Sequence, residues 1–153
     1  MGHRDRLNAA GVIIPEPPTP IACFVNHKRV GNLLFLSGQG PREADGYLHT
    51  GKVGLEVSLE EASRHARLTG LNLVAVAEQA LGDIERIESF VKLLGMVNSA
   101  PEFSEHSKVI DGCSNLLREV FGSAGEHARS AIGVASLPNN ITVEIEAIVA
   151  VRS

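Results

Sequence analysis

The chain has 153 residues, of which 44% are hydrophobic and 21% charged, as expected for one globular domain. Its formal net charge of −4 argues against a general nucleic-acid binder, because such binding depends largely on Lys and Arg. No apolar stretch is long enough to cross a membrane, and residues 1–8 lack the apolar segment of a secretory signal. We therefore expect a cytoplasmic protein that does not bind membranes.

The N-terminal region is rich in proline, with residues of this type at positions 15, 17, 18 and 20. Proline lacks a backbone N–H and cannot complete a regular ladder of hydrogen bonds. We predict that residues 1–20 form an extended arm and that residues 21–153 form a single domain.

The next elements alternate between strand and helix signals. Residues 29–37 predict two strand segments around a Gly-Asn turn, and the Gly- and Pro-rich residues 41–57 predict a loop. A capping-box sequence at residues 58–61 predicts a helix over 58–81 that stops at Gly82. Residues 84–97 favour a buried strand, and a start signal at residues 99–102 predicts a second helix that ends near Gly122.

The C-terminal region reads as two strands around a turn. Residues 129–136 and 141–151 flank Leu-Pro-Asn-Asn, which predicts a long antiparallel hairpin. The whole order predicts an α+β fold in which two helices cover one face of a sheet and leave the other face free for assembly.

Alternation along this hairpin predicts a cleft. One face would belong to the core: Ile132, Val134, Val143, Ile145, Ala147 and Val149. The other face would combine small residues with charges, which suits a small polar ligand: Arg129, Ala131, Gly133, Glu144 and Glu146. If the hairpin turn is centred on the Leu-Pro-Asn-Asn sequence, Arg129 and Glu144 lie roughly 13 Å apart along the strands, which is too far for an ion pair. A ligand between them, a cleft shared by two subunits, and plain solvated charges all remain open.

Three segments near the C-terminus, residues 129–131, 134–138 and 143–147, place Arg129 and Glu144 at a spacing of 15 positions. Together they resemble the C-terminal signature of the RidA (reactive intermediate deaminase, YjgF-like) family. Residues 30–39 resemble the first strand of the family and its Ser-Gly-Gln turn, and Leu81-Gly82-Asp83 precedes the middle strand as in the family. The resemblance covers about residues 20–151.

The resemblance implies a chorismate-mutase-like fold and a homotrimer with clefts between subunits. It also implies hydrolysis of 2-imino or enamino acids to 2-keto acids and ammonia, without a metal or cofactor. Arg129 would bind the substrate carboxylate through two parallel hydrogen bonds, and Glu144 would position the attacking water. The residues that would bind substrate or line the cleft are Phe24, Ser37, Gly38 and Ala131.

The chain departs from the family pattern at two places. Phe24 stands where well-known members have tyrosine, so it can offer an apolar wall but no hydroxyl, and Ala131 stands where cysteine is common. These departures and the long arm indicate a divergent branch, often named as endoribonucleases or translation inhibitors. Two alternatives to a deaminase therefore remain: a trimer that binds small carboxylates without turnover, and a protein that cleaves RNA or affects translation.

Three other groups of reactive side chains give weaker evidence of a functional site. Glu61 and His65 lie one helical turn apart without a third ligand, so we predict no metal site. Cys23 and Cys113 lack metal-ligand spacing, and we interpret both as reduced thiols in the core. A third group consists of His106, Asp111 and Ser114. It lacks a nucleophile motif, so we interpret these side chains as polar groups on a helix surface.

Overall fold

The computed structural model describes residues 1–20 and 22–153, so the predicted first residue of the domain, residue 21, lies outside the described residues. The helices and strands are α1 (His3–Ala9), β1 (His27–Val30), β2 (Leu33–Gln39), α2 (Leu59–Leu81), β3 (Ile87–Asn98), α3 (His106–Phe121), β4 (Ala128–Val134) and β5 (Val143–Val151). The strands form one five-stranded sheet in the order β1-β2-β5-β3-β4. Among the strands of the described residues, β3 and β4 run parallel and the other neighbouring pairs are antiparallel.

Helices α2 and α3 cover one face of this sheet, which confirms the predicted α+β fold. The Ser58 hydroxyl accepts a hydrogen bond from the Glu61 N–H at 3.2 Å, and Gly82 ends α2 in the left-handed conformation with φ 77°. Alternate residues of β5 are buried beneath the helices: Val143, Ile145, Ala147, Val149 and Val151. Within the described part of the chain, no helix combines the length and apolarity needed to cross a membrane.

The N-terminal arm is not wholly extended, because residues 3–9 form α1. The Glu85 carboxylate accepts hydrogen bonds from the backbone N–H groups of His3 (3.1 Å) and Arg4 (2.8 Å), which caps the start of this helix. Leu7 is buried in the core, and the His3 ring lies edge-on to Phe121. A helix this short depends on tertiary contacts that local sequence does not reveal.

The second long helix also differs from its prediction, since α3 begins at His106 instead of near residue 99. Ser99 forms an isolated bridge with Val53, and the Ala100 N–H donates to the Val53 carbonyl at 2.9 Å. These bonds continue extended backbone past β3, so the Ser99 hydroxyl contacts the His106 ring instead of capping a helix.

The predicted C-terminal hairpin is wrong, because β3 lies between β4 and β5. The two strands do run in opposite directions, but β4 pairs with β3 in parallel and β5 pairs with β3 and β2. Helix α3 provides the crossover that a parallel pair requires. The predicted turn is a connection over the end of β3, in which Asn139 and Asn140 adopt positive φ angles of 56° and 57°.

The parallel pairing reverses the predicted faces of β4. The pairs on the helix side are Leu93 with Arg129, Gly95 with Ala131, and Val97 with Gly133. The prediction that these β4 residues share a face with Glu144 and Glu146 is therefore wrong. Ile132, predicted in the core, is 45% exposed on the face without helices, which we call the open face.

Helices α2 and α3 approach closely at Gly112, where a side-chain Cβ would overlap the backbone carbonyl oxygen of Ser63. We expect Gly112→Ala to lower the free energy of unfolding by about 1–3 kcal/mol, because the helices must separate to admit the methyl group. Thermal denaturation should show the loss. Asn115→Ala, at an exposed position on α3, is the matched control, and an equal melting temperature for both variants would contradict the close packing.

Candidate active site

Arg129 lies on the edge strand β4, and its side chain points towards α3. Its Nη1 donates to the Asp111 carboxylate at 2.8 Å and to the Ser114 hydroxyl at 3.1 Å, while its Nη2 donates to the Ser107 carbonyl at 3.3 Å. The Arg129 side chain is 20% exposed. These contacts fix the plane of the guanidinium before any ligand is present.

The guanidinium also keeps capacity for a ligand. Its three hydrogen bonds use three of the five N–H groups that an arginine carries, so two N–H groups remain within the described chain. A cavity of about 320 Å³, which we call the arginine pocket, opens beside it and is lined by Ser114, Arg118, Glu126, His127 and Arg129. Such a pocket can accept a small anion, because bidentate hydrogen bonding from arginine matches the geometry of a carboxylate.

Glu144 lies on β5 and faces the other side of the sheet. The absence of a side chain at Gly38 makes room for it, because a Cβ there would lie 2.9 Å from Glu144 Oε2. Burial raises the pKa of the Glu144 carboxyl, and the nearby Glu146 charge raises it further. A carboxyl with a raised pKa is better suited to accept and return a proton near neutral pH.

A larger concave surface, the open-face groove, has a cavity volume of about 830 Å³. Two predicted site residues, Phe24 and Ser37, lie in it, and the Ser37 hydroxyl donates to the Val25 carbonyl at 2.6 Å. That bond holds the segment bearing Phe24 against β2. The groove is lined by Phe24, Val25, His27, Lys28, Phe35, Leu36, Ser37, Lys92, Leu94, Ser130, Glu146, Ala147 and Ile148.

Sequence reasoning missed the two lysines of this groove, Lys28 and Lys92. The Lys92 ammonium lies 3.4 Å from the Ser130 hydroxyl, and both side chains are on the open face. Alternation along β3 places Lys92 on the face opposite to the buried Leu93, so this lysine could have been predicted on the open face. Lys28 reaches the same groove only through the strand order, which local sequence patterns do not reveal.

The predicted site residues thus fall into two groups within one chain. Phe24, Ser37, Gly38 and Glu144 belong to the open face, whereas Arg129 and Ala131 face the helices. Arg129 pairs with Leu93 and Glu144 with Met96, which separates them by about 10 Å along the strands and about 10 Å across them. The two groups cannot act on one small molecule inside a single subunit.

Ser114 has a histidine partner that the sequence did not reveal. Its hydroxyl lies 2.9 Å from His127 Nε2, whereas His106, considered as a partner from the sequence, contacts Ser99. His127 immediately precedes β4, and its ring reaches Ser114 in the middle of α3. The contact between these two side chains follows from the pairing of β4 with β3, which the sequence did not reveal.

The two cysteines differ from each other. Cys113 is buried as predicted, and burial raises the pKa of its thiol to about 12. Cys23 is exposed, so its predicted place in the core is wrong, because the segment around it runs along the groove instead of under a helix.

The grouping of Glu61 and His65 forms part of a shallow cavity with His49, whose ring stacks on His65 at 4.2 Å. The described residues contain no cluster of three metal-ligating side chains. Burial, followed by the charge of His49, lowers the pKa of His65 to about 4, and its Nδ1 lies 2.9 Å from the Thr142 hydroxyl. His65 is therefore neutral at neutral pH.

This histidine predicts a loss of stability in acid. Between pH 6.5 and about 4, the folded protein binds fewer protons at His65 than the unfolded chain does. The contribution of the neutral ring to stability is therefore complete above pH 6.5 and is lost as the pH falls through that window. We expect a loss on the order of 1–2 kcal/mol, reduced by solvent screening of this half-buried ring. Denaturation of wild type and His65→Gln across the window measures it. Parallel pH profiles for the two proteins would contradict the assignment.

Comparison with known proteins gives consistent relatives. A family model described as "YjgF/chorismate_mutase-like, putative endoribonuclease" matches residues 4–148. The chain is 39% identical over 144 residues to Protein TCP17 of Trypanosoma cruzi, which covers 94% of this chain and 90% of that protein. It is 32% identical over 139 residues to the 2-iminobutanoate/2-iminopropanoate deaminase of Escherichia coli K12, covering 86% and 89%.

The fold agrees with these matches. A crystal structure from Shewanella oneidensis MR-1, named a putative endoribonuclease, has a TM-score of 0.95 and 32% identity, and covers 99% of this chain and 100% of that one. The family model spans almost the whole chain, and relatives above 30% identity align over most of their length. On this evidence the chain belongs to the YjgF (RidA) family.

Proposed function

We propose that this protein hydrolyses reactive 2-imino or enamino acids to 2-keto acids and ammonia in the cytoplasm. The observation that carries the proposal is the arginine pocket, where Arg129 is held in place and keeps two N–H groups for a carboxylate. The named activity of the Escherichia coli relative supports the same chemistry. Glu144, with its raised pKa, is the group that positions and deprotonates the attacking water.

The clefts lie between subunits of a homotrimer. Arg129 and Glu144 are on opposite faces of one sheet, so a single substrate can meet both only where two subunits adjoin. The open face also exposes apolar side chains that a neighbour would cover, including Phe24 (50%), Phe35 (41%) and Ile132 (45%). Neither a metal nor a cofactor is required for this hydrolysis.

The assembly is tested by light scattering at micromolar concentration. We expect the mass of a trimer, because the uncovered apolar face makes the isolated subunit unfavourable in water. Phe35→Glu should shift the population towards smaller species, since it places a charge on that face. A wild-type monomer would contradict the shared cleft.

The chemistry is tested by ammonia release from an enzymatically generated 2-imino acid. We expect wild type to accelerate release above the rate in buffer. A second candidate, carboxylate binding without turnover, is favoured by the absence of a hydroxyl at Phe24 and of a thiol at Ala131. Binding of 2-keto acids without any accelerated release would support that candidate and contradict the deaminase.

The sharing of the cleft is tested by mixing two impaired variants, Arg129→Lys and Glu144→Gln, and exchanging their subunits. If each cleft takes Arg129 from one subunit and Glu144 from the next, random mixing restores about one quarter of the clefts. If both groups act within one subunit, mixing restores none. The unmixed variants are the controls.

A further inference from the structure

The arginine pocket contains a chain of hydrogen bonds that the proposed hydrolysis does not use. His127 Nδ1 lies 2.6 Å from the Gly125 carbonyl oxygen, and His127 Nε2 lies 2.9 Å from the Ser114 hydroxyl. A carbonyl can only accept, so in the neutral ring Nδ1 carries the hydrogen and Nε2 is the acceptor. The Ser114 hydroxyl therefore donates to His127.

The same hydroxyl also accepts a hydrogen bond from Arg129 Nη1 at 3.1 Å. A serine hydroxyl that donates to a histidine base and accepts from a cation is polarised towards losing its proton. Both side chains line the arginine pocket, so a bound molecule can reach them. A carboxylate held by Arg129 brings the second and third carbons of a short acid into the same small cavity.

The surroundings keep His127 available as a base. Burial lowers the pKa of its ring, the hydrogen bond to Gly125 opposes this, and the Arg129 charge lowers the pKa further. The other charged groups lining the pocket are Arg118 on α3 and Glu126 in the preceding loop, and they lie 3.8 Å from each other. His127 is therefore neutral at neutral pH.

We propose that Ser114 and His127 form an acid–base pair that moves a proton to and from C3 of the acid bound at Arg129, and so interconverts its enamine and imine forms. This inference rests on the proposed function, because it assumes that the arginine pocket holds a 2-enamino, 2-imino or 2-keto acid. It deepens that function by assigning the groups that protonate C3, since an enamine must gain a proton there before water can attack C2.

The step balances without an oxidant or reductant. From the imine, the C3–H bond breaks, its proton passes through the Ser114 oxygen to His127 Nε2, and the electron pair forms the C2=C3 bond. The π electrons of C2=N become a lone pair on nitrogen, which takes a proton from water, and the hydroxide that remains takes the proton held by His127. In the reverse direction His127 takes a proton from water and passes it through Ser114 to C3, and the nitrogen gives its proton to the hydroxide that remains.

The test follows exchange at C3 of 2-oxobutanoate in D₂O by proton NMR, because a keto acid undergoes the same proton transfer but cannot lose ammonia. We expect wild type to speed the loss of the C3 proton signal, and Ser114→Ala and His127→Gln to lower that acceleration by about 10²-fold or more. Calorimetric titration should show that both variants still bind the acid, since Arg129 keeps its contact with Asp111.

Ser99→Ala is the matched control, because Ser99 also contacts a histidine, His106 at 3.2 Å, but outside the arginine pocket. It should leave exchange unchanged. The wild-type exchange rate should rise with pH as His127 loses its proton, with an inflection below the ordinary histidine pKa of 6.5, and His127→Gln should lack that inflection. A purely structural pair would not produce this profile.

The outcomes separate the two proposals. Suppose that wild type releases ammonia and binds the keto acid. If it does not speed exchange, or if both variants exchange as fast as wild type, the proton-transfer pair is overturned and the deaminase is left intact. Exchange that depends on both residues, without ammonia release, would support the pair and overturn the deaminase. A wild type that binds no keto acid would overturn both.

Discussion

Replacing Arg129 with lysine is expected to weaken the binding of small 2-keto acids by about 10- to 150-fold, or roughly 1.5–3 kcal/mol. Lysine keeps the charge but cannot form two parallel hydrogen bonds to a carboxylate. It also loses the contacts with Asp111 and Ser114 that hold the guanidinium plane. Calorimetric titration of wild type and variant with 2-oxobutanoate measures the difference.

The control is Arg67→Lys, which changes another arginine that pairs with a carboxylate, Glu119 at 3.0 Å, and that does not line the arginine pocket. It should bind the acid as wild type does. The melting temperature of Arg129→Lys should fall by a few degrees at most, because only partly exposed contacts are lost. Equal affinity of wild type and Arg129→Lys would remove the carboxylate site from this pocket.

Replacing Glu144 with glutamine is expected to slow ammonia release by about 10²-fold or more and to leave keto-acid affinity nearly unchanged. The amide keeps the shape that fits beside Gly38 but cannot accept a proton from water. Steady-state release of ammonia, together with titration of the keto acid, separates turnover from binding. Glu88→Gln, at an exposed position on β3, should behave as wild type.

Stability gives a second readout for the same variant. Because burial and Glu146 raise the pKa of Glu144, its ionised form destabilises the fold once the pH exceeds that pKa. Glutamine removes this cost, so the variant should melt at the wild-type temperature or up to about 3 °C above it at neutral pH. Unchanged turnover in such a folded variant would remove the assigned role.

Much of the fold was predictable because it is specified locally. The cap at Ser58, the stop at Gly82 and the alternation along β5 each lie within a few residues, and all three predictions are confirmed. The family resemblance supplied the fold class. Local signals could not show that β3 inserts between β4 and β5, because a turn sequence is equally compatible with a connection across another strand.

That single insertion explains why the candidate site was only partly foreseen. With β4 assigned as the partner of β5, Arg129 and Glu144 share a face, and with β3 between them they do not. The pairing of Ser114 with His127 depends on the same arrangement. The short helix α1 was missed for another reason, since its stability comes from distant contacts with Glu85 and Phe121.

The position of β5 also has a consequence for how the chain folds. It is the last strand in the sequence but the middle strand of the sheet, with β2 on one side and β3 on the other. During synthesis, β1, β2 and both long helices emerge while the centre of the sheet is still empty, so their apolar sides have no completed surface to cover. Because its pairing with β2 joins residues far apart in sequence, we expect slow, late closure of the sheet and a nascent chain that needs protection from aggregation until β5 arrives.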